Sequence, residues 1–150
     1  MTLKNAIKFF ENLVAESVDK SEIKIYQKFI QIINGLEKRN LSESDIQMIE
    51  KALATLDLNS TSKGNKKYFS KALGQFKKYL KDTFSLISKG YYTNLGIALG
   101  SAFGALAGII FLSHFERSLG ISLGISFGDI IGLLIGRSMD SQAAAAGNLL

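Results

Sequence analysis

Few side chains in these 150 residues are equipped for chemistry. Cysteine is absent, which excludes disulfides, thiolate metal sites and cysteine nucleophiles. His114 is the only histidine, and no second metal-ligand type stands near it at a useful spacing. Beside Glu116 and Arg117 it reads as a solvated turn residue, with pH sensing as the sharper alternative. There is no phosphate-binding loop and no Gly-Xaa-Ser-Xaa-Gly elbow, and the glycines lie inside apolar runs rather than between strand and helix. The sequence therefore predicts no enzyme, no metal and no cofactor. What remains is Asp129, the one carboxylate in the apolar segment LGISLGISFGDIIGLLIG. An ionised, unpartnered carboxylate is too costly there, so Asp129 must be protonated, hydrogen-bonded or facing water. Two roles stay open: a hydrogen bond within a helix assembly, or a charge that attracts cations in a pore.

The elements that must position Asp129 show a duplication. LGIALGSAFGALAGI, from Leu95, aligns without gaps on LGISLGISFGDIIGL, from Leu119, with 8 of 15 positions identical, and Asp129 replaces Ala105 of the first copy. Glycine recurs every fourth residue: Gly96, Gly100, Gly104 and Gly108, then Gly120, Gly124, Gly128, Gly132 and Gly136. No charged side chain occurs between Lys89 and Glu116, a run longer than the roughly 20 residues that span a bilayer as a helix. The pattern predicts transmembrane helices over about 94–113 and 119–136. Each glycine would cost an isolated soluble helix about 1 kcal/mol relative to alanine, whereas in lipid it permits close backbone packing. These nine glycines are accordingly expected at oligomer contacts. Four residues turn a straight helix through about 400°, so the stripe drifts and should meet more than one neighbour.

A second column of small residues, Ser118, Ser122 and Ser126, lies on another face, and Ser122 and Ser126 join Asp129 as pore-lining candidates. Folding the hairpin about its turn at 114–118 brings Asp129 to the depth of Ser101 and Ala102, which makes Ser101 a possible partner. Arg137 is expected to cap the second helix. The tail 138–150 is helix-permissive through its alanines and could extend the second helix into the cytoplasm and pack on the helical domain.

Upstream the chain reads as amphipathic helices, and absence of proline fits an all-α fold. Leu3, Ile7, Phe10 and Val14 mark a first helix. Asp19 and Glu22 offer a cap for a second, with Val18 and Ile23 as a hydrophobic staple and Ile23, Tyr26, Ile30 and Ile33 as its stripe. Ser42 and Asp45 form a capping box, with Leu41 and Ile46 in staple positions, before Ile46, Ile49, Leu53 and Leu56. A three-helix domain over 1–58 is marginal alone and should lean on the next helix or on copies of itself. Residues 59–65 (NSTSKGN) form a hinge.

Residues 66–90 hold a basic amphipathic helix with apolar Phe69, Leu73, Phe76, Leu80, Phe84 and Ile87. One reading is a bundle helix with a solvated lysine face. The other is a helix lying on anionic lipid through Lys77, Lys78 and Lys81, with Tyr91 and Tyr92 as interfacial anchors and each lysine worth about 1 kcal/mol near the surface. Nucleic acid is not an expected partner, because no binding motif accompanies the charge.

Charge sets the orientation. Residues 1–60 hold 8 basic and 9 acidic side chains, residues 61–90 hold 8 and 1, and residues 91–150 hold 2 and 3. The net +5 thus resides in the segment before the first membrane helix, which the positive-inside rule places in the cytoplasm, together with the C-terminus returned by the hairpin. The N-terminus is interrupted by Lys4, Lys8, Glu11 and Glu16 and does not read as a signal peptide, so insertion is expected through the hairpin 91–137.

The paired segments, followed by RSMD and an alanine-rich tail, resemble the glycine-zipper hairpins of small, mostly uncharacterised bacterial membrane proteins, over about residues 94–147. The resemblance implies a bacterial inner-membrane hairpin. The overall plan is also similar to pore-forming bacteriocins, with a much smaller helical domain. Two functions follow as expectations: a homo-oligomeric pore or channel, with membrane disruption as one form of it, or a non-conducting anchor that displays its helical domain to a cytoplasmic protein partner.

Overall fold

A computed structural model describes residues 1–58, 65–111 and 117–150, Arg117 by its backbone alone. The hinge residues 59–64 and the turn residues 112–116, His114 included, lie outside the described residues. The described chain is all-helical: α1 (Leu3–Glu16), α2 (Lys20–Glu37), α3 (Glu43–Thr55), α4 (Lys66–Phe84), α5 (Tyr91–Phe111) and α6 (Arg117–Ala145). It divides into two compact units, Met1–Leu86 with Leu150, and Ile87–Leu149.

Local chemistry explains where the first unit's helices start. Thr2 caps α1 through its hydroxyl, and Glu50 reaches across from α3 to accept the Leu3 N–H at 2.9 Å. Asp19 caps α2 by accepting from Ser21, whose hydroxyl and N–H hold its carboxyl below the usual carboxylate range. The reciprocal contact expected of Glu22 is absent. Glu22 is buried and accepts instead from the Ser17 hydroxyl at 3.0 Å. Nor is Val18 a staple, for it stands 95% exposed. The capping box at Ser42 and Asp45 is formed in both directions. Asn65 caps α4 through Tyr68 N–H at 3.0 Å.

The first unit is built on its aromatic residues. Phe10 of α1 stacks on Phe29 of α2 with ring centroids 4.2 Å apart, and Tyr26 meets Phe69 of α4 edge to face at 5.1 Å. Phe76 continues the stack beyond Phe29. Burial follows Leu3, Ala6, Phe10 and Leu13 in α1 and Tyr26, Phe29, Ile33 and Leu36 in α2. Leu3, Phe10, Tyr26 and Ile33 of the sequence stripes are buried as expected, whereas Ile7, Val14 and Ile30 lie half-buried at the rim. In α3, Ile49 and Leu53 are buried, with Ile46 and Leu56 at the edge.

α4 supplies the support that three short helices lacked. Phe69, Ala72, Leu73, Phe76 and Leu80 all enter the common core. The aromatic side chains expected to anchor α4 in a bilayer are spent inside the unit, with Phe69 and Phe76 each 1% exposed, and the open face of the helix is left to Lys67, Lys71, Lys78 and Lys81. α4 also ends at Phe84, a turn earlier than its apolar pattern suggests. Ser85 takes the left-handed conformation (φ 57°), its N–H bonds to Lys81 O, and the Leu86 N–H bonds to Leu80 O.

Candidate functional site

The second unit is a hairpin of two antiparallel helices whose contact is made of backbone. At Gly96 a Cβ would strike the carbonyl oxygen of Gly132, and Gly100, Gly104 and Gly108 stand in the same relation to Gly128, Gly124 and Gly120. The relation is reciprocal at Gly124, Gly128 and Gly132, and Gly136 completes the series against Tyr92 O. A Cβ at Gly100 would also lie 2.8 Å from the carbonyl carbon of Gly128, too close for any side chain. The hydrogen that replaces Cβ points at a carbonyl oxygen, so each pair is held in a Cα–H···O arrangement, individually weak and here repeated along the seam.

Eight of the nine glycines expected at contacts between copies thus lie against one another within one chain, and Gly136 lies against Tyr92 and Thr93. Their drift is accommodated without a further neighbour. A repeat of four exceeds the 3.6 residues of a helical turn, so two helices that wind about each other in the right-handed sense keep the whole stripe in one contact.

With glycine inside, the large side chains point outward. Phe103 and Phe127 are 68% and 63% exposed, and Leu99, Ile131 and Leu134 are exposed as well. On one flank of the seam Leu99, Phe103, Phe111, Phe127, Ile131 and Ile135 wall an open apolar groove of about 630 Å³ with glycine along its floor. Ser101 and Asp129 are half-buried and do not line this groove. Both helices are long and apolar enough to cross a membrane, and only 6% of the apolar window in α5 and 22% of that in α6 is buried, unlike the core helices of a water-soluble fold.

Asp129 meets the partner that hairpin geometry suggested. The Ser101 hydroxyl donates to Asp129 Oδ1 and also lies 2.9 Å from Ile97 O, so its one proton is shared between a carboxylate and a backbone carbonyl. Ser122 and Ser126 are exposed on α6, and each hydroxyl donates to the carbonyl four residues earlier, Ser118 O and Ser122 O, at 2.9 Å. That self-satisfaction lets a serine face lipid or water without an unmet donor.

One polar site escaped the sequence reading. Arg137 was expected to end the second helix, but α6 runs through it to Ala145, and the added turns carry Asp140 to the start of α5. There its carboxylate accepts from Tyr92 N–H (3.0 Å), Thr93 N–H (3.0 Å) and the Thr93 hydroxyl (2.6 Å). A helix has unpaired N–H groups in its first turn, and Asp140 caps those of α5 from the neighbouring helix. The signal was available: the glycine register opposes Gly136 to Tyr92, and Asp140 is one turn further on. The same end is tied again where Ile87 N–H bonds to Asn148 O at 2.9 Å, after Gly147 (φ 73°) turns the chain out of α6.

The lysine candidates lie in the first unit. Lys78 and Lys81 are exposed, whereas Lys77 is half-buried, and burial together with the charge of Lys28 pushes its ammonium below the usual lysine range. Tyr91 and Tyr92 open α5 half-exposed, their rings edge to face at 5.2 Å. Comparison with family models, with curated proteins and with solved structures gives no match.

Proposed function

We propose that the protein is an integral membrane protein in which α5 and α6 cross the bilayer twice as a glycine-zipper hairpin completed within one chain, holding the four-helix unit at one membrane surface as an interaction platform. One observation carries this reading: glycines line the contact while phenylalanine, leucine and isoleucine face outward, an arrangement suited to lipid and costly in water. The basic segment ahead of α5 favours the side on which the positive-inside rule keeps lysine, and that side is cytoplasmic, with both termini on it. The bilayer and a protein docked on the helical unit are then the partners. Alkaline extraction of membranes from expressing cells tests the reading. The full chain should stay in the lipid pellet, and release into the supernatant would overturn it.

A second reading, an oligomeric pore, is favoured by the polar line of α6. Ser118, Ser122 and Ser126 are exposed, and on an ideal helix Asp129 falls within the arc they span. Several hairpins turning this line inward would enclose a ring of carboxylates that attracts cations. Planar-bilayer recordings separate the two readings. Cation-selective current that loses its preference in Asp129→Asn supports the pore, and silence of inserted wild-type protein at every voltage supports the anchor.

A further inference from the structure

α4 presents one face to its core and leaves the other open. Phe69, Leu73, Phe76 and Leu80 are buried, whereas Lys67, Lys71, Gly74, Lys78 and Lys81 are all exposed. These exposed positions follow one another at steps of four, three, four and three, so they form one line along about 21 Å of helix. Its centre is flat, because a Cβ at Gly74 meets nothing within 4 Å. Asp82 is the one carboxylate on α4. At the border with α2, Lys77 is half-buried and feels the charge of Lys28. Two ammonium groups repel each other there, and a bound anion relieves that repulsion.

Residues 85–90 connect α4 to α5. Six extended residues reach at most about 20 Å, so only a short tether joins the lysine-bearing helix to the one that would enter a bilayer. A tether of that length holds the lysines at high effective concentration near headgroup phosphates, so individually weak contacts suffice.

We propose that the line Lys67, Lys71, Lys78 and Lys81 docks on anionic phospholipid headgroups of the membrane that the hairpin crosses. The proposal rests on the membrane reading above; of the lipid contact expected from sequence it keeps Lys78, Lys81 and the anionic lipid, adds Lys67 and Lys71 on one exposed face, and leaves out the half-buried Lys77. The contact is electrostatic throughout, since the apolar face of α4 is occupied by its own core. It therefore dissolves in high salt, unlike an inserted amphipathic helix.

The absence of cysteine makes the test direct. Gly74→Cys places a single thiol at the centre of the line, where there is room for it, and Gln47→Cys places one on the exposed side of α3 as a control. Full-length protein that resists alkaline extraction is reconstituted in phosphatidylcholine vesicles, with or without phosphatidylglycerol. An uncharged, water-soluble maleimide should label Gly74→Cys several-fold more slowly in the mixed vesicles. The difference should vanish at high salt, or when Lys67, Lys71, Lys78 and Lys81 are all replaced by glutamine. The thiol at position 47 should label alike in both. Equal rates for Gly74→Cys in the two vesicle types overturn the proposal and leave the membrane reading standing, and so does equal slowing at both thiols. Release by alkali overturns the membrane reading instead.

Discussion

Two aspartates of α6 divide the polar work of the hairpin. Asp129 lies half-buried beside Ser101, within the apolar span, and the sequence made both the residue and its partner legible, because folding a duplicated segment about its turn fixes which depths coincide. Asp140 was missed as a functional side chain, although the glycine register pointed to its position. Its three hydrogen bonds depend on α6 continuing past the glycine repeat, and an alanine-rich tail announces helix without announcing a partner. Asp140→Ala should leave three donors of the first turn of α5 without their acceptor and cost about 1–2 kcal/mol. Hydrogen exchange on the detergent-solubilised protein reads this locally. The Tyr92 and Thr93 amides should exchange about tenfold faster or more, at roughly 1.4 kcal/mol per tenfold, with the α4 amides unchanged. Unchanged protection at Tyr92 and Thr93 would remove Asp140 from the closure of the hairpin.

Glycine has opposite meanings in different elements. Gly74 faces open space on α4, whereas Gly100 is pressed against the backbone at Gly128. Gly74→Ala should therefore stabilise the first unit by about 0.5–1 kcal/mol through helix propensity alone. Gly100→Ala should weaken the hairpin by about 1–3 kcal/mol, since the backbones must separate to admit a methyl group. Slower exchange in α4 for the first variant and faster exchange in α5 for the second would establish both signs, and the same sign in both would contradict the packing described. Helix existence was readable from periodicity throughout, and the capping box at Ser42 located the start of α3. What periodicity could not fix was which residues of α1 and α2 complete the core beside the expected ones. Phe10 and Phe29 stack face to face, and this pairing draws Ala6, Leu13 and Leu36 inward in place of Ile7, Val14 and Ile30.

At the scale of the whole molecule, composition anticipated the division into a charged helical unit and an apolar hairpin, but not which unit α4 would join. Its lysines suggested a membrane surface, and its phenylalanines belong to a core that three short helices could not have filled alone. The glycine repeat was read as a surface for other copies of the chain, because sequence spacing says that backbones approach closely without saying whose they are. In a bilayer this approach should occur inside one chain. Spin labels at Ala98→Cys and Ile130→Cys, both exposed and on facing helices, test it by pulsed electron resonance in liposomes. The account predicts one distance of roughly 20 Å, two helix diameters, unchanged when labelled protein is diluted into an excess of unlabelled protein. A signal that disappears on dilution would assign the glycine contact to neighbouring copies and contradict the account.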